Sequence, residues 1–204
     1  MKNFRLAKDS RMPTASTATA QAALHAARVL LLPGWLNSGP AHWQSRWEAL
    51  HGGVRVEQDD WLWPRRGDWM ARLDDVVQAG AAPLVLVAHS LGCHLVAAWA
   101  AHSQHTARVT AALLVAPPDT ERDDMPPNLF SWRPVVRRPL PFASLVVTSS
   151  DDPYCAPARS AQMASDWGSD TLAIGARGHV NGESGLGDWP EGWAMLSTLQ
   201  ARAG

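Results

Sequence analysis

The stretch Ala88-His89-Ser90-Leu91-Gly92 constrains this chain more than any other. An unbroken apolar run, Leu84-Val85-Leu86-Val87, leads into it, and a helix-like run, Cys93-His94-Leu95-Val96-Ala97-Ala98-Trp99, leads out. An apolar run without alternation belongs to a strand covered on both faces. A serine between such a strand and a helix stands on a sharp turn, in a strained backbone conformation. Only small residues fit two positions before and two after it. Gly92 meets that demand, and the methyl of Ala88 is tolerated at the other position. The pattern predicts a serine presented at the end of a buried strand. A buried turn serine with no chemistry is the plainer alternative.

The rest of the chain repeats the same alternation. Strands are expected at residues 28–32, 54–57, 84–88, 111–116, 145–148 and 171–174. Helices are expected at residues 40–50, 68–79, 91–101, 156–167 and 191–203. Strands alternating with helices imply an α/β fold with one parallel sheet and helices on both faces. The expected order is 2-1-3-4-5-6. Strands 1 and 3 then lie side by side where the winding reverses, and the loops after them open into one crevice. Residues 28–204 form one domain, a size that supports a full core. Residues 1–27, rich in Ala, Thr and Ser, read as a disordered tail without the apolar centre of a secretory signal. Residues 119–142 carry five prolines and exceed an ordinary connection, so they form either a partial lid or a surface excursion.

Composition removes several functions. A formal net charge of −1 favours neither nucleic acid nor an anionic membrane as partner. No apolar run approaches the ~20 residues of a membrane span. Two cysteines make no disulfide framework and fit a reducing cytoplasm. Cys93 is expected to pack as a small hydrophobe on the helix after Ser90. Eleven tryptophans stand against one tyrosine, so several either line a groove or fill the core.

A serine hydroxyl needs a histidine to take its proton and a carboxylate to orient that histidine. On strand-turn-helix serines the chain order is Ser, then Asp or Glu, then His. Of eight histidines, only His179 lies beyond residue 105, in the glycine-rich loop Gly175-Ala176-Arg177-Gly178-His179 after the last strand. It is the candidate base. The fifth strand runs into Asp151-Asp152-Pro153, which offers two acids. Pro153 holds the residue before it extended, which favours Asp152 and leaves Asp151 open. His89 packs beside the sheet or bonds a neighbouring loop. His42, His51, His94, His102 and His105 show no partner pattern and no metal-ligand spacing. The oxyanion donors are expected to be the backbone N–H of Leu91, at the start of the helix, and that of Trp35, with Leu36 next. Gly34 lets the loop carrying Trp35 turn tightly.

Taken together, Leu32-Pro33-Gly34, His89-Ser90 with Gly92, Ser150-Asp151-Asp152-Pro153-Tyr154, and Gly178-His179 with Asn181 resemble the small serine hydrolases of the retinoblastoma-binding-protein-nine family, within the α/β-hydrolase superfamily. The resemblance covers residues 28–203. It implies a compact six-stranded core without a large cap domain, with Ser90 as nucleophile, His179 as base and Asp152 as acid. The segment Pro33-Gly34-Trp35-Leu36-Asn37-Ser38-Gly39-Pro40-Ala41-His42-Trp43-Gln44 is closer to bacterial members than to animal ones, whose loop is glycine-rich. The expected activity is hydrolysis of a small-molecule ester or amide with no cofactor and no metal. A non-catalytic binding module, or an acyltransferase on the same triad, are the alternatives, because fold and triad do not set the substrate.

Overall fold

The computed structural model describes residues 27–80 and 83–203. The expected tail lies outside the described residues except for Ala27, which is buried. The elements run β1 (Arg28–Leu32), α1 (Trp43–His51), β2 (Val54–Arg55), α2 (Arg66–Ala79), β3 (Leu84–His89), α3 (Leu91–Ala100), β4 (Val109–Val115), β5 (Ala143–Thr148), α4 (Pro157–Asp166), β6 (Asp170–Ala173) and α5 (Pro190–Ala203). All strand pairs are parallel, in the order β2-β1-β3-β4-β5-β6. This is the expected order, and the molecule has a compact α/β-hydrolase fold.

Side chains along a strand point to alternate faces, and the core divides accordingly. Leu30, Leu32, Leu86, Ala88 and Leu114 pack under Trp69 and Leu73 of α2, the apolar face of α3, and Met163 of α4. Val29, Leu31, Val85, Val87 and Val115 pack under Trp43 and Trp47 of α1 and Leu196 of α5. Every residue of β3 is buried, as a central strand covered on both sides requires.

Element ends differ from expectation where capping or edge position decides them. Helix α1 starts at Trp43 rather than residue 40, because the His42 side chain caps it by accepting from the Gln44 N–H at 3.1 Å. It stops at Gly52, whose φ of 67° allows the left-handed turn that ends the helix. Strand β2 is an edge strand with only two paired residues, Val54 and Arg55. Residues 119–142 contain a 3₁₀ turn, Pro127–Trp132, anchored by buried Leu129 and Trp132.

The tryptophans mostly fill the core. Trp43, Trp47, Trp69, Trp99, Trp132 and Trp167 are all fully buried. Their indole N–H groups hold connections to the core. Trp47 donates to the Asp188 carbonyl, Trp132 to that of Pro64 and Trp167 to that of Val136, each at 2.8 Å. Among the described residues, no helix is long and apolar enough to cross a membrane.

Candidate active site

Ser90 stands between β3 and α3 with φ 54° and ψ −123°, a conformation that residues with a Cβ rarely adopt. The fold forces it from both sides. The Ser90 N–H is held by the Val115 carbonyl at 2.9 Å. Helix α3 begins at once and presses against the end of β1. A Cβ on Gly92 would lie 2.2 Å from the Leu32 carbonyl oxygen. The loop after β1 approaches as closely, since a Cβ on Gly34 would stand 2.7 Å from Ser90 Cβ and 3.1 Å from its Oγ. Small residues here are required by backbone contact across the switch point of the sheet.

His179 Nε2 lies 2.8 Å from Ser90 Oγ. Its Nδ1 lies 2.9 and 3.0 Å from the two carboxylate oxygens of Asp152. The carboxylate places the proton on Nδ1, so Nε2 accepts from the serine hydroxyl. The side chains of both residues are nearly covered. Asp152 also accepts from the Tyr154 N–H at 2.9 Å, and the Tyr154 ring meets the imidazole edge-on, centroids 4.6 Å apart. The structure thus brings together Ser90, Asp152 and His179. Asp151 turns the other way and accepts from the Gly178 N–H at 2.8 Å and from Ser149 Oγ at 2.7 Å.

The loop bearing His179 is held at several points. Ser149 Oγ accepts from the Arg177 N–H at 2.9 Å, and Trp43 Nε1 donates to the Val180 carbonyl at 2.8 Å. His89 Nε2–H donates to the carbonyl of His179 itself at 2.9 Å. Burial drives the His89 pKa well below its ordinary value, and His42 and His179 nearby push the same way. His89 is therefore a neutral donor. Gln44 of α1, wholly buried, donates to the carbonyls of Leu32 and Val87 at 3.3 and 3.1 Å. It ties α1 to the ends of β1 and β3. The sequence reading missed Gln44 and Trp43 as supports, because nothing in their spacing shows which carbonyls they meet.

Among the described residues, neither the Leu91 nor the Trp35 backbone N–H has a protein acceptor, whereas that of Leu36 is taken by the Trp61 carbonyl at 3.2 Å. The Trp35 indole lines the cavity and donates to the Leu62 carbonyl at 3.1 Å. Of the eleven tryptophans it alone lines that cavity. Of the two alternatives for the tryptophans, the groove does not hold: beside Trp35 the apolar lining includes Pro118, Met125, Pro126 and Leu129. Most of the other indoles are drawn into the core by their area and their N–H bonds, whereas Trp63 stays exposed. Residues 119–142 thus contribute Thr120, Met125, Pro126 and Leu129 to the cavity, whose volume is about 550 Å³, a size suited to a small molecule.

Cys93 is buried in α3 with its thiol directed at the carbonyls of Val115 and Ala88. Burial pushes the thiol pKa far up, so it is no nucleophile. Among the described residues, no group of His, Cys, Asp and Glu is arranged to hold a metal ion.

Fold and serine turn together define an α/β-hydrolase. The chain matches the serine hydrolase family over residues 29–198 and belongs to it. The protein is a hydrolase. Among solved structures it is similar to a YdeN-like hydrolase of Pectobacterium atrosepticum, with 24% identity, a TM-score of 0.80, and coverage of 92% of this chain and 98% of that one. The ydeN gene product of B. subtilis shares 19% identity, with a TM-score of 0.65 and coverage of 85% and 98%. A carboxylesterase of Bacillus cereus shares 15%, with a TM-score of 0.54 and coverage of 84% and 88%. Among curated proteins none matches the chain.

Proposed function

We propose that the protein cleaves an ester or amide of a small molecule through Ser90, His179 and Asp152 and an acyl-enzyme intermediate. Ser90 Oγ bonds to the substrate carbonyl carbon while its proton passes to His179 Nε2. The N–H groups of Leu91 and Trp35 receive the negative charge that develops on the carbonyl oxygen. The tetrahedral adduct then collapses, and the leaving alcohol or amine departs with the proton from Nε2. Water repeats the cycle on the acyl-enzyme and returns Ser90 with the carboxylic acid. Asp152 keeps the imidazole in the tautomer that both halves need. No cofactor enters.

The observation that carries this reading is the unbroken relay, 2.8 Å from Oγ to Nε2 and 2.9 Å from Nδ1 to carboxylate, beside the cavity. Ester chemistry is carried over from the printed description of the Bacillus cereus neighbour as a carboxylesterase. Membership of the retinoblastoma-binding-protein-nine family, on its bacterial side, and a cytoplasmic location belong to the same proposal. The location is supported by both cysteines being free thiols.

Labelling with a fluorophosphonate probe tests it. The wild-type protein should be labelled at Ser90. Ser90→Ala should remain folded, lose the label and lose roughly 10³-fold or more in ester turnover. Undiminished labelling of the alanine variant would remove the assignment.

A further inference from the structure

The cavity has two unlike sides. Pro118, Met125, Pro126 and Leu129 make one apolar, and Leu129 belongs to the core layer beneath α2, α3 and α4. Asn37, His42, Asn181 and Glu183 bring polar groups from elsewhere, set among Leu36, Pro40 and Ala41. Trp43 and Val180, the chain neighbours of His42 and Asn181, belong to the layer on the other sheet face.

His42 is unusual among these polar groups. It is only 5% exposed. Its Nδ1 accepts from the Gln44 N–H at the start of α1, so the ring proton must stand on Nε2. Burial, reinforced by Arg55 and His179, holds the ring neutral, with its pKa lowered to about 3. That Nε2–H is buried and meets no acceptor among the described residues. Nearly every buried donor in a folded protein has a partner, so an orphan beside a cavity points to something that enters it.

The position of the ring says which part of a substrate that is. His42 meets the edge of His89 with centroids 4.6 Å apart, and His89 meets His179 at 4.9 Å. A Cβ on Gly182, three residues beyond His179, would lie 3.5 Å from the His42 backbone nitrogen. His42 thus flanks the histidine side of the site. The leaving group must lie on that side too, because it receives its proton from His179. The apolar side remains for the acyl group.

We propose that His42 is a specificity-determining residue whose Nε2–H donates a hydrogen bond to an acceptor oxygen in the leaving group. This rests on the Ser90, His179 and Asp152 reading above. The substrate class is then esters of an oxygenated alcohol, such as a polyol or an ether alcohol, with an apolar acyl part. Plain alkyl esters leave the donor unpaired and are handicapped accordingly.

Two butyrate esters isolate the effect. Butyl butyrate and 2-methoxyethyl butyrate differ by one methylene replaced with an ether oxygen. Their kcat/KM values, followed by alkali titration, are compared for the full chain and for His42→Asn. Asparagine still caps α1 but withdraws the ring N–H. The preference for the methoxyethyl ester should fall about tenfold in the variant, while differences in intrinsic reactivity cancel between proteins. An unmoved ratio in a folded variant overturns the proposal. Should the asparagine variant fail to fold, His42→Ser, another capping side chain, carries the same test. The matched acyl pair, p-nitrophenyl methoxyacetate and p-nitrophenyl butyrate, should show no such change. A shift confined to that pair also overturns the placement at the leaving group. Ser90→Ala run in parallel separates the two layers. Undiminished esterolysis in it removes the triad reading, whereas Ser90-dependent esterolysis with an unmoved ratio removes only the role of His42.

Discussion

Ser90 combines two demands that conflict in its own backbone. Its φ of 54° suits glycine, while the proposed chemistry needs a hydroxyl. Strain of this kind costs about 1–3 kcal/mol. At an ordinary position alanine stabilises relative to glycine by about 0.4–1 kcal/mol. Here the order should invert, with Ser90→Gly unfolding at a higher urea concentration than Ser90→Ala. The two neighbouring aspartates divide their work just as locally. Asp152 reaches His179, and Asp151 fixes the backbone at Gly178. Asp152→Asn should lower kcat by about 10⁴, since an amide favours the wrong imidazole tautomer. Asp151→Asn keeps an acceptor for the Gly178 N–H and should cost far less. The reverse ranking in steady-state rates would exchange their roles. The extended conformation that Pro153 imposes favoured Asp152 in the sequence but left Asp151 open, and the family resemblance pointed to Asp152. Nothing comparable marked His42. Its interest lies in what its Nε2 fails to meet, and a sequence pattern records no such vacancy.

At the scale of elements, the sheet order was legible because each strand is a short apolar run between helical ones, and right-handed crossovers leave few arrangements. The ends were less legible. Residues 54–57 read as one strand, yet pairing stops at Arg55, whose side chain is drawn into bonds with Asn37, Ser45 and Glu48. Side-chain bonding of this kind has no periodicity to read. The contact between α3 and the end of β1 carries the sharpest consequence. Gly92→Ala would place a methyl 2.2 Å from a backbone oxygen, with no flexible side chain to yield. It should destabilise the fold by about 3 kcal/mol or more, visible as a lowered urea midpoint, and should reduce fluorophosphonate labelling with it.

For the molecule as a whole, buried neutral histidines set the response to acid. Burial lowers His94 to about 4 despite its bond to the Pro118 carbonyl, and lowers His42 to about 3. His89 is also held well below its ordinary range. In the unfolded chain all three take up protons below the ordinary value of 6.5. The folded state does not, so stability present above pH 6.5 drains away as pH falls toward 4. The unfolding free energy should drop by up to about 1.4 kcal/mol per pH unit for each histidine, near three protons in total. Urea titrations at pH 7 and pH 5 measure this, and His94→Gln should reduce the slope by one proton. Composition announced eight histidines without showing which the fold would bury.

The relay joins residues far apart along the chain, since Ser90 and His179 are 89 positions apart. The indole of Trp43 reaches 137 positions to hold the loop beyond that histidine. A ribosome therefore completes the strand and turn that present Ser90 long before it makes the residues that act on it. At synthesis rates of about 5–20 residues per second, the interval lasts several seconds. Throughout it Ser90 lacks the base that the proposed mechanism assigns to His179, so on that proposal the nascent protein is harmless toward any ester nearby. On the same reading, competence arrives only when β6 completes the sheet and the loop carrying His179 closes over Ser90.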